Sequence, residues 1–261
     1  MSDQPKLKRV LSLLDATMIN VGGIIGSGIF MVPATVAMFT GSSSLFFMVW
    51  IAGGIVSLFG ALSVAELGAA MPRAGGQYVY LSEAYGPVWG YLYGWSAVAV
   101  INTASIAAVG VAFSEYLRFF FPITDISIKG IAVATIVLLT IINILDVKSG
   151  ARFQNLFTIS KLGAIFGIII LGLVMEGGSN QNLIPFFSNQ SFTELVGPLG
   201  LAMVSVLWTF DGWIFITYVA GEVKNPGRNI PLSLIFCMLI VVSIYLLLNY
   251  VLIYTLGFTG M

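Results

Sequence analysis

Residues Asn20 to Pro33 read NVGGIIGSGIFMVP, four glycines and a proline within fourteen positions of an otherwise apolar run. Glycine costs a helix about 1 kcal/mol relative to alanine. Proline removes a backbone donor and collides with the preceding turn. A break at this point frees N–H and C=O groups, and within hydrocarbon such groups persist only where protein buries them or they line a wet cavity. The stretch therefore marks either a site made of backbone or a place where small residues let two helices approach closely.

Composition says that hydrocarbon is the right solvent to consider. The chain has 261 residues, of which 58% are hydrophobic and 8% charged, where a soluble domain carries about 25% charged residues. Apolar runs long enough to cross about 30 Å of hydrocarbon fall at 14–38, 44–70, 88–121, 128–145, 154–175, 196–219 and 231–256. The expectation is an all-α, multi-pass membrane protein with one transmembrane domain over 1–261. The run at 88–121 is too long for a perpendicular span and must tilt or extend past the bilayer. Between spans, the segment PRAGGQYVYLSEAYGP (Pro72–Pro87) is amphipathic and interrupted by glycine, and suits a cytoplasmic or re-entrant segment packed on the protein. The polar, basic start (Met1–Val10) precedes a run too long for a signal-peptide core, which reads as a retained first span.

Basic residues orient the spans. With a cytoplasmic N-terminus, the inside segments hold Lys6, Lys8, Arg9, Arg73, Lys148, Arg152, Lys224 and Arg228, and the outside segments only Arg118 and Lys129. A plasma (inner) membrane location is expected.

Several function classes drop out. Net charge is zero, with 11 basic and 11 acidic residues, so no nucleic-acid footprint is present. Histidine is absent and Cys237 is the single cysteine, which leaves no usual proton shuttle, metal cluster or intrachain disulfide. No cofactor or metal is expected. Neither a Gly-x-Ser-x-Gly elbow, a paired-Asp motif nor a phosphate-binding loop occurs, which argues against an enzyme or a pump. A channel filter or a ring of like charges is also missing.

A second interruption, LWTFDGWIF (Leu207–Phe215), places an aspartate and a glycine at comparable depth in the sixth run. Interrupted helices in corresponding positions point to a transporter built from repeats. The half-helix starting after Gly26–Gly28 aims free N–H groups and its positive end at an anion. The half-helix ending there offers carbonyls to a cation. Together they suit the two charges of an amino-acid zwitterion. Gly26 and Gly28 are read as site residues, because the sixth run repeats the break. Gly53, Gly54, Gly163 and Gly167 are read as packing positions, and Asn20, Gly22 and Gly23 are left open.

GGIIGSGIF (Gly22–Phe30), AELGAAMPRAGGQYVYLSEAYG (Ala65–Gly86) and EVKNPGRNIP (Glu222–Pro231) together resemble the amino acid–polyamine–organocation transporters, and within them the L-type amino-acid exchanger branch. The resemblance runs from Leu7 to the seventh helix and implies a five-plus-five inverted repeat with broken first and sixth helices. It implies that Ser27 and Gly28, with the Ile29 amide, bind a substrate carboxylate. Carbonyls of Ile24, Trp208 and Asp211 would receive the α-amino group. Trp208 stands where the family keeps an aromatic that closes over substrate, though an aromatic in a membrane helix also serves packing. Trp50 and Trp213 are read as structural.

Lys161, in NLFTISKLGAIF, lies about two turns into the fifth run. The resemblance implies an ammonium in the place of a sodium ion, bonding first-helix carbonyls such as those of Gly23 and Ile24, and hence sodium-independent transport. The plain alternative is a lysine snorkelling to the interface. Asp211 could bind a cationic side chain, relay protons or cap freed amides, and capping is the simplest reading. Asp15 is read as an N-cap, Glu115 and Glu66 as near-interface charges, Asn102 as a pocket residue by its depth, and Tyr245 and Asn249 as weaker candidates.

An inverted repeat needs ten helices, and seven are legible here. The sequence is therefore expected to be part of a longer chain or a truncated product, with its missing helices or a partner chain completing the fold. The leading reading is a secondary transporter for amino acids, small neutral ones before cationic ones. The alternative is a non-transporting membrane protein that acts with a partner chain.

Overall fold

Capping chemistry starts the first helix. In the computed structural model, Ser12 Oγ accepts from the Asp15 amide (3.3 Å) and the Asp15 carboxylate accepts from the Ser12 amide (2.8 Å). This reciprocal pair satisfies two orphan donors of the first turn. Ser12 is thus the N-cap and Asp15 the third residue of the capping box, which corrects the expectation for Asp15. Residues 8–145, 147–174 and 177–261 are described. Lys6, the predicted end of the fifth run at 175, and the side chains of Lys148 and Arg152 lie outside them.

The described residues form helices joined by turns: α1 (Leu13–Ile24), α2 (Gly28–Thr40), α3 (Ser43–Ala70), α4 (Gln77–Tyr85), α5 (Pro87–Ser96), α6 (Asn102–Leu117), α7 (Asp125–Leu145), α8 (Val147–Val174), α9 (Phe192–Thr209), α10 (Phe215–Tyr218) and α11 (Pro226–Gly260). A π-helical turn, Ala97–Ile101, joins α5 to α6. The protein is all-α and membrane-spanning. Among the described residues four helices are long and apolar enough to cross a membrane, or five if the pair α1 and α2, bent by 51°, is one span. The apolar stretches Ile159–Val174 and Thr193–Thr209 are shorter.

The chain divides into two compact units: residues up to Tyr80 with Lys161–Met261, and Leu81–Ser160. In the first, α11 is the central element. It packs along α3 and α1, while α2 packs on α9 and α1 on α10. The core includes Val21, Ile29, Phe46, Trp50, Val206, Phe210, Leu234 and Leu248, all buried. Small residues set two of these contacts. A Cβ on Gly53 would lie 2.5 Å from Val206, and one on Gly54 2.7 Å from Val242, so both act as packing glycines. Gly163 and Gly167 differ from that expectation: a Cβ on either would meet open space among the described residues.

Loops satisfy helix ends. The amides of Ser43 and Ser44, orphaned at the start of α3, donate to the carbonyls of Pro185 (3.1 Å) and Phe186 (2.9 Å). Gly75 and Gly76 donate to the carbonyls of Tyr218 and Thr217, both at 3.2 Å, and dock the segment before α4 on α10. A side chain on Gly76 would strike Thr217 Oγ1 at 2.7 Å.

The second unit is built around α6 packed on α7. Gly110 lets Ile136 approach, with Ile136 Cδ1 3.0 Å from where a Cβ would stand. At one end Arg118 bonds Asp125 and lies 3.6 Å from Glu115, so Glu115 belongs to an exposed charge cluster.

Candidate substrate site at two helix breaks

α1 ends at Ile24 because Ile25 leaves the helical region (φ −70°, ψ 95°), although its amide still closes on Val21. The next helix starts at Gly28, and only Ile25, Gly26 and Ser27 separate the two. The first-turn amides of α2, at Gly28 and Ile29, have no carbonyl a turn earlier in their own helix. Gly28 and Ile29 are buried, and Gly26 and Ser27 half-buried. Ser27 makes no side-chain capping bond, so its hydroxyl is not committed to the helix end.

The sixth run breaks in the same way. α9 ends at Thr209, the Asp211 amide turns back to the Trp208 carbonyl (3.2 Å), and Gly212 adopts a φ of +115° before α10 begins at Phe215. That backbone conformation favours glycine over any residue with a Cβ. The two breaks touch. A Cβ on Gly212 would stand 2.8 Å from the Gly23 carbonyl oxygen, and one on Gly23 2.2 Å from the Phe215 ring. On the far side of the breaks, Gly28 faces Thr209 and Trp208, each 3.3 Å from where a Cβ would stand. Trp208 itself is 49% exposed beside the start of α2.

Three side chains bond at the breaks, and two of them join one to the other. Tyr245, fully buried on α11, places its hydroxyl 3.2 Å from both the Ile24 and the Thr209 carbonyl oxygens. These are the last residues of α1 and α9, so one hydroxyl serves the negative ends of both half-helices. A hydroxyl carries one hydrogen, and each carbonyl has two lone pairs, so both carbonyls keep the capacity to accept another donor. Asn20, also fully buried, accepts the Ile216 amide on its Oδ1 at 3.0 Å. Lys161 on α8 donates from Nζ to the Gly22 carbonyl at 2.9 Å.

The lysine therefore reaches Gly22, not Gly23 or Ile24 as expected. α1 stops at Ile24, so the Gly22 carbonyl has no helical partner of its own, and a cation at this negative end is favourable. Asp211 differs more. Its carboxylate is exposed and makes no hydrogen bond among the described residues, so it does not cap the freed amides. Asn102 belongs to the second unit, where it is exposed at the start of α6. Trp50 is structural, buried edge-on against Phe210 (6.0 Å) and Tyr245 (5.8 Å). Asn249 turns its amide back to the Tyr245 carbonyl (2.7 Å).

Replacing Tyr245 with phenylalanine is expected to lower stability by about 1 kcal/mol, near the value of a buried hydrogen bond. For a chain of this size that is a fall of about 2–4 °C in the unfolding midpoint. Thermal unfolding in detergent checks this, and an unchanged midpoint would mean that the hydroxyl does not bind the breaks.

An all-α membrane chain with two interrupted helices set side by side has the build of a secondary transporter. Residues 11–261 match the amino acid permease family, and the chain belongs to that family. It is 38% identical over 256 residues to the b(0,+)-type amino acid transporter 1 of Homo sapiens, covering 95% of this chain and 52% of that protein. It is 36% identical over 251 residues to the serine/threonine exchanger SteT of Bacillus subtilis (strain 168), covering 96% and 56%. Against the cystine/glutamate transporter of Homo sapiens it is 35% identical over 252 residues, covering 95% and 50%. The chain spans about half the length of these relatives. Each is a transporter or exchanger by name, and this family member is not an enzyme.

Proposed function

We propose that the protein moves amino acids across a membrane by secondary transport, exchange or uptake, with substrate held at the two breaks. The observation that carries this is the meeting of opposite helix ends. The start of α2 presents the Gly28 and Ile29 amides, while the ends of α1 and α9 present carbonyls within reach of one shared hydroxyl. A zwitterion needs both kinds of partner close together. In this reading Gly26, Ser27, Gly28 and Ile29 hold the carboxylate. Carbonyls of Ile24, Trp208 and Asp211 hold the ammonium, and the Trp208 ring closes over them.

Lys161 supplies a fixed positive charge against α1, so no sodium ion is needed there and transport is sodium-independent. Small neutral amino acids are the favoured substrates. The Asp211 carboxylate, exposed and without a hydrogen bond among the described residues, offers cationic ones a second partner. The name of the Bacillus relative, a serine/threonine exchanger, supports small side chains. The chain crosses the membrane seven times, as α1/α2, α3, α5/α6, α7, α8, α9/α10 and α11. Its N-terminus is on the cytoplasmic side of the plasma membrane, and the two broken helices open successive halves of an inverted repeat.

The test is uptake by the full-length protein in proteoliposomes, using the twenty radiolabelled amino acids with and without sodium and with and without amino acid trapped inside. Uptake of a small neutral amino acid in sodium-free buffer supports the reading, and uptake only with sodium would sink the role given to Lys161. Lys161→Ala is expected to lower turnover about tenfold or more with a smaller change in binding, as for loss of a charged hydrogen bond. Wild-type turnover in that variant would leave Lys161 a snorkelling residue.

A further inference from the structure

The two broken helices pair half with half. α2 packs on α9, and α1 packs on α10. The pair α1 and α10 is stitched at two levels. Just before α1 and just after α10, the amides of Val10 and Leu11 donate to the Glu222 carbonyl (2.9 and 3.0 Å), and the Lys224 amide donates to the Leu11 carbonyl (2.9 Å). Near the breaks the tie is a side chain: Asn20 Oδ1 accepts the Ile216 amide at 3.0 Å, with both residues fully buried.

Ile216 is the second residue of α10, so its amide has no carbonyl a turn earlier in its own helix. α10 is four residues long and has little internal hydrogen bonding to keep it in place. The amide of Asn20 is half used: Nδ2 is buried with no partner among the described residues. An apolar side chain of similar size would avoid that unmade bond. What it would lose is the acceptor for Ile216.

We infer that Asn20 is a positioning residue that makes the inner halves of the two broken helices, α1 and Phe215–Lys224, move as one piece. The inference rests on the transport reading, because coupled movement matters only to a protein that opens and closes around a site. Asn20 stands one turn before Gly23, where the breaks touch. A displacement of α1 there passes to α10 through a directed bond as well as through packing. With that bond gone, α1 would shift without carrying α10, and the site would lose its carbonyl and amide partners at different moments of the cycle. Binding in the resting arrangement would be nearly unaffected, and turnover would fall.

The test uses full-length protein in proteoliposomes and two variants. Asn20→Leu removes the acceptor while keeping the branch at Cγ, and Asn20→Asp keeps the acceptor. Exchange of the best-transported radiolabelled amino acid is expected to slow about tenfold in Asn20→Leu, the effect of one buried amide left unbonded. Its half-saturation concentration should move less than about twofold, because the bond acts on movement and not on ground-state binding. Asn20→Asp should recover most of the rate. Amide hydrogen exchange across Phe215–Val219 reads the coupling without transport, and should be about tenfold faster in Asn20→Leu and unchanged in Asn20→Asp.

Wild-type turnover and exchange in Asn20→Leu would overturn the assignment. So would faster exchange in Asn20→Asp, which would show that the intact amide and not the acceptor is what matters. Should Asn20→Leu fail to fold, the exchange rate in Asn20→Asp decides alone: unchanged supports the role, faster refutes it. If the unaltered protein moves none of the amino acids, the transport reading falls, while the exchange measurement still decides whether Asn20 holds α10 to α1.

Discussion

Ser27→Trp is expected to abolish amino-acid binding, lowering affinity about a hundredfold or more while leaving the protein folded. Ser27 is half-buried in the gap between α1 and α2, directly before the Gly28 and Ile29 amides. An indole at that position occupies the volume a carboxylate needs, and steric exclusion of this kind removes affinity far more effectively than loss of one bond. The fold should survive because the serine hydroxyl caps nothing and the residue is only half-buried. Ser27→Ala separates the two effects. It removes only the hydroxyl and should cost about threefold to tenfold in affinity. Tracer binding by purified protein, with gel filtration to show a single folded species, reads both variants. Full binding by Ser27→Trp would place the carboxylate elsewhere.

The effect sought in that experiment depends on a feature the sequence displays openly. Gly26–Ser27–Gly28 is weak helix in an apolar run, and Asp211–Gly212 repeats the interruption, so the two breaks are legible from local composition alone. The partners across the breaks are not. Asn20 and Ile216 are 196 residues apart, Tyr245 and Ile24 are 221 apart, and Lys161 and Gly22 are 139 apart. No local period encodes such pairings. The only trace of Asn20 and Tyr245 is a polar group in an apolar helix, which has to find a partner once buried. That signal says a bond exists without saying to what. Asp211 shows the converse. A carboxylate next to a broken helix is the natural candidate for a cap, yet the turn closes through its own backbone amide on Trp208, and the side chain is left outward.

The glycines divide along the same line, between what local pattern shows and what long-range contact demands. Gly26 draws attention by its place in the motif, but a Cβ there would meet only the Ile24 carbonyl oxygen at 3.8 Å, an ordinary contact. Gly212 looks like a simple turn residue, yet it holds a φ of +115° with the Gly23 backbone 2.8 Å from where a Cβ would stand. Strain of that backbone for a residue with a side chain costs about 1–3 kcal/mol, and forcing a packed neighbour aside costs a similar amount. Here the neighbour is backbone of the other break, which cannot rotate away as a side chain would. Gly212→Val should therefore lose about 3–5 kcal/mol, enough to consume much of the stability of a typical protein. Gly26→Ala should stay within about 1 kcal/mol of the parent. Expression yield and the unfolding midpoint in detergent distinguish the two, with Gly212→Val giving little folded protein and Gly26→Ala close to normal amounts. Equal tolerance at both positions would mean that the breaks do not touch, and the reach of Tyr245 and Asn20 from one to the other would lose its geometric basis.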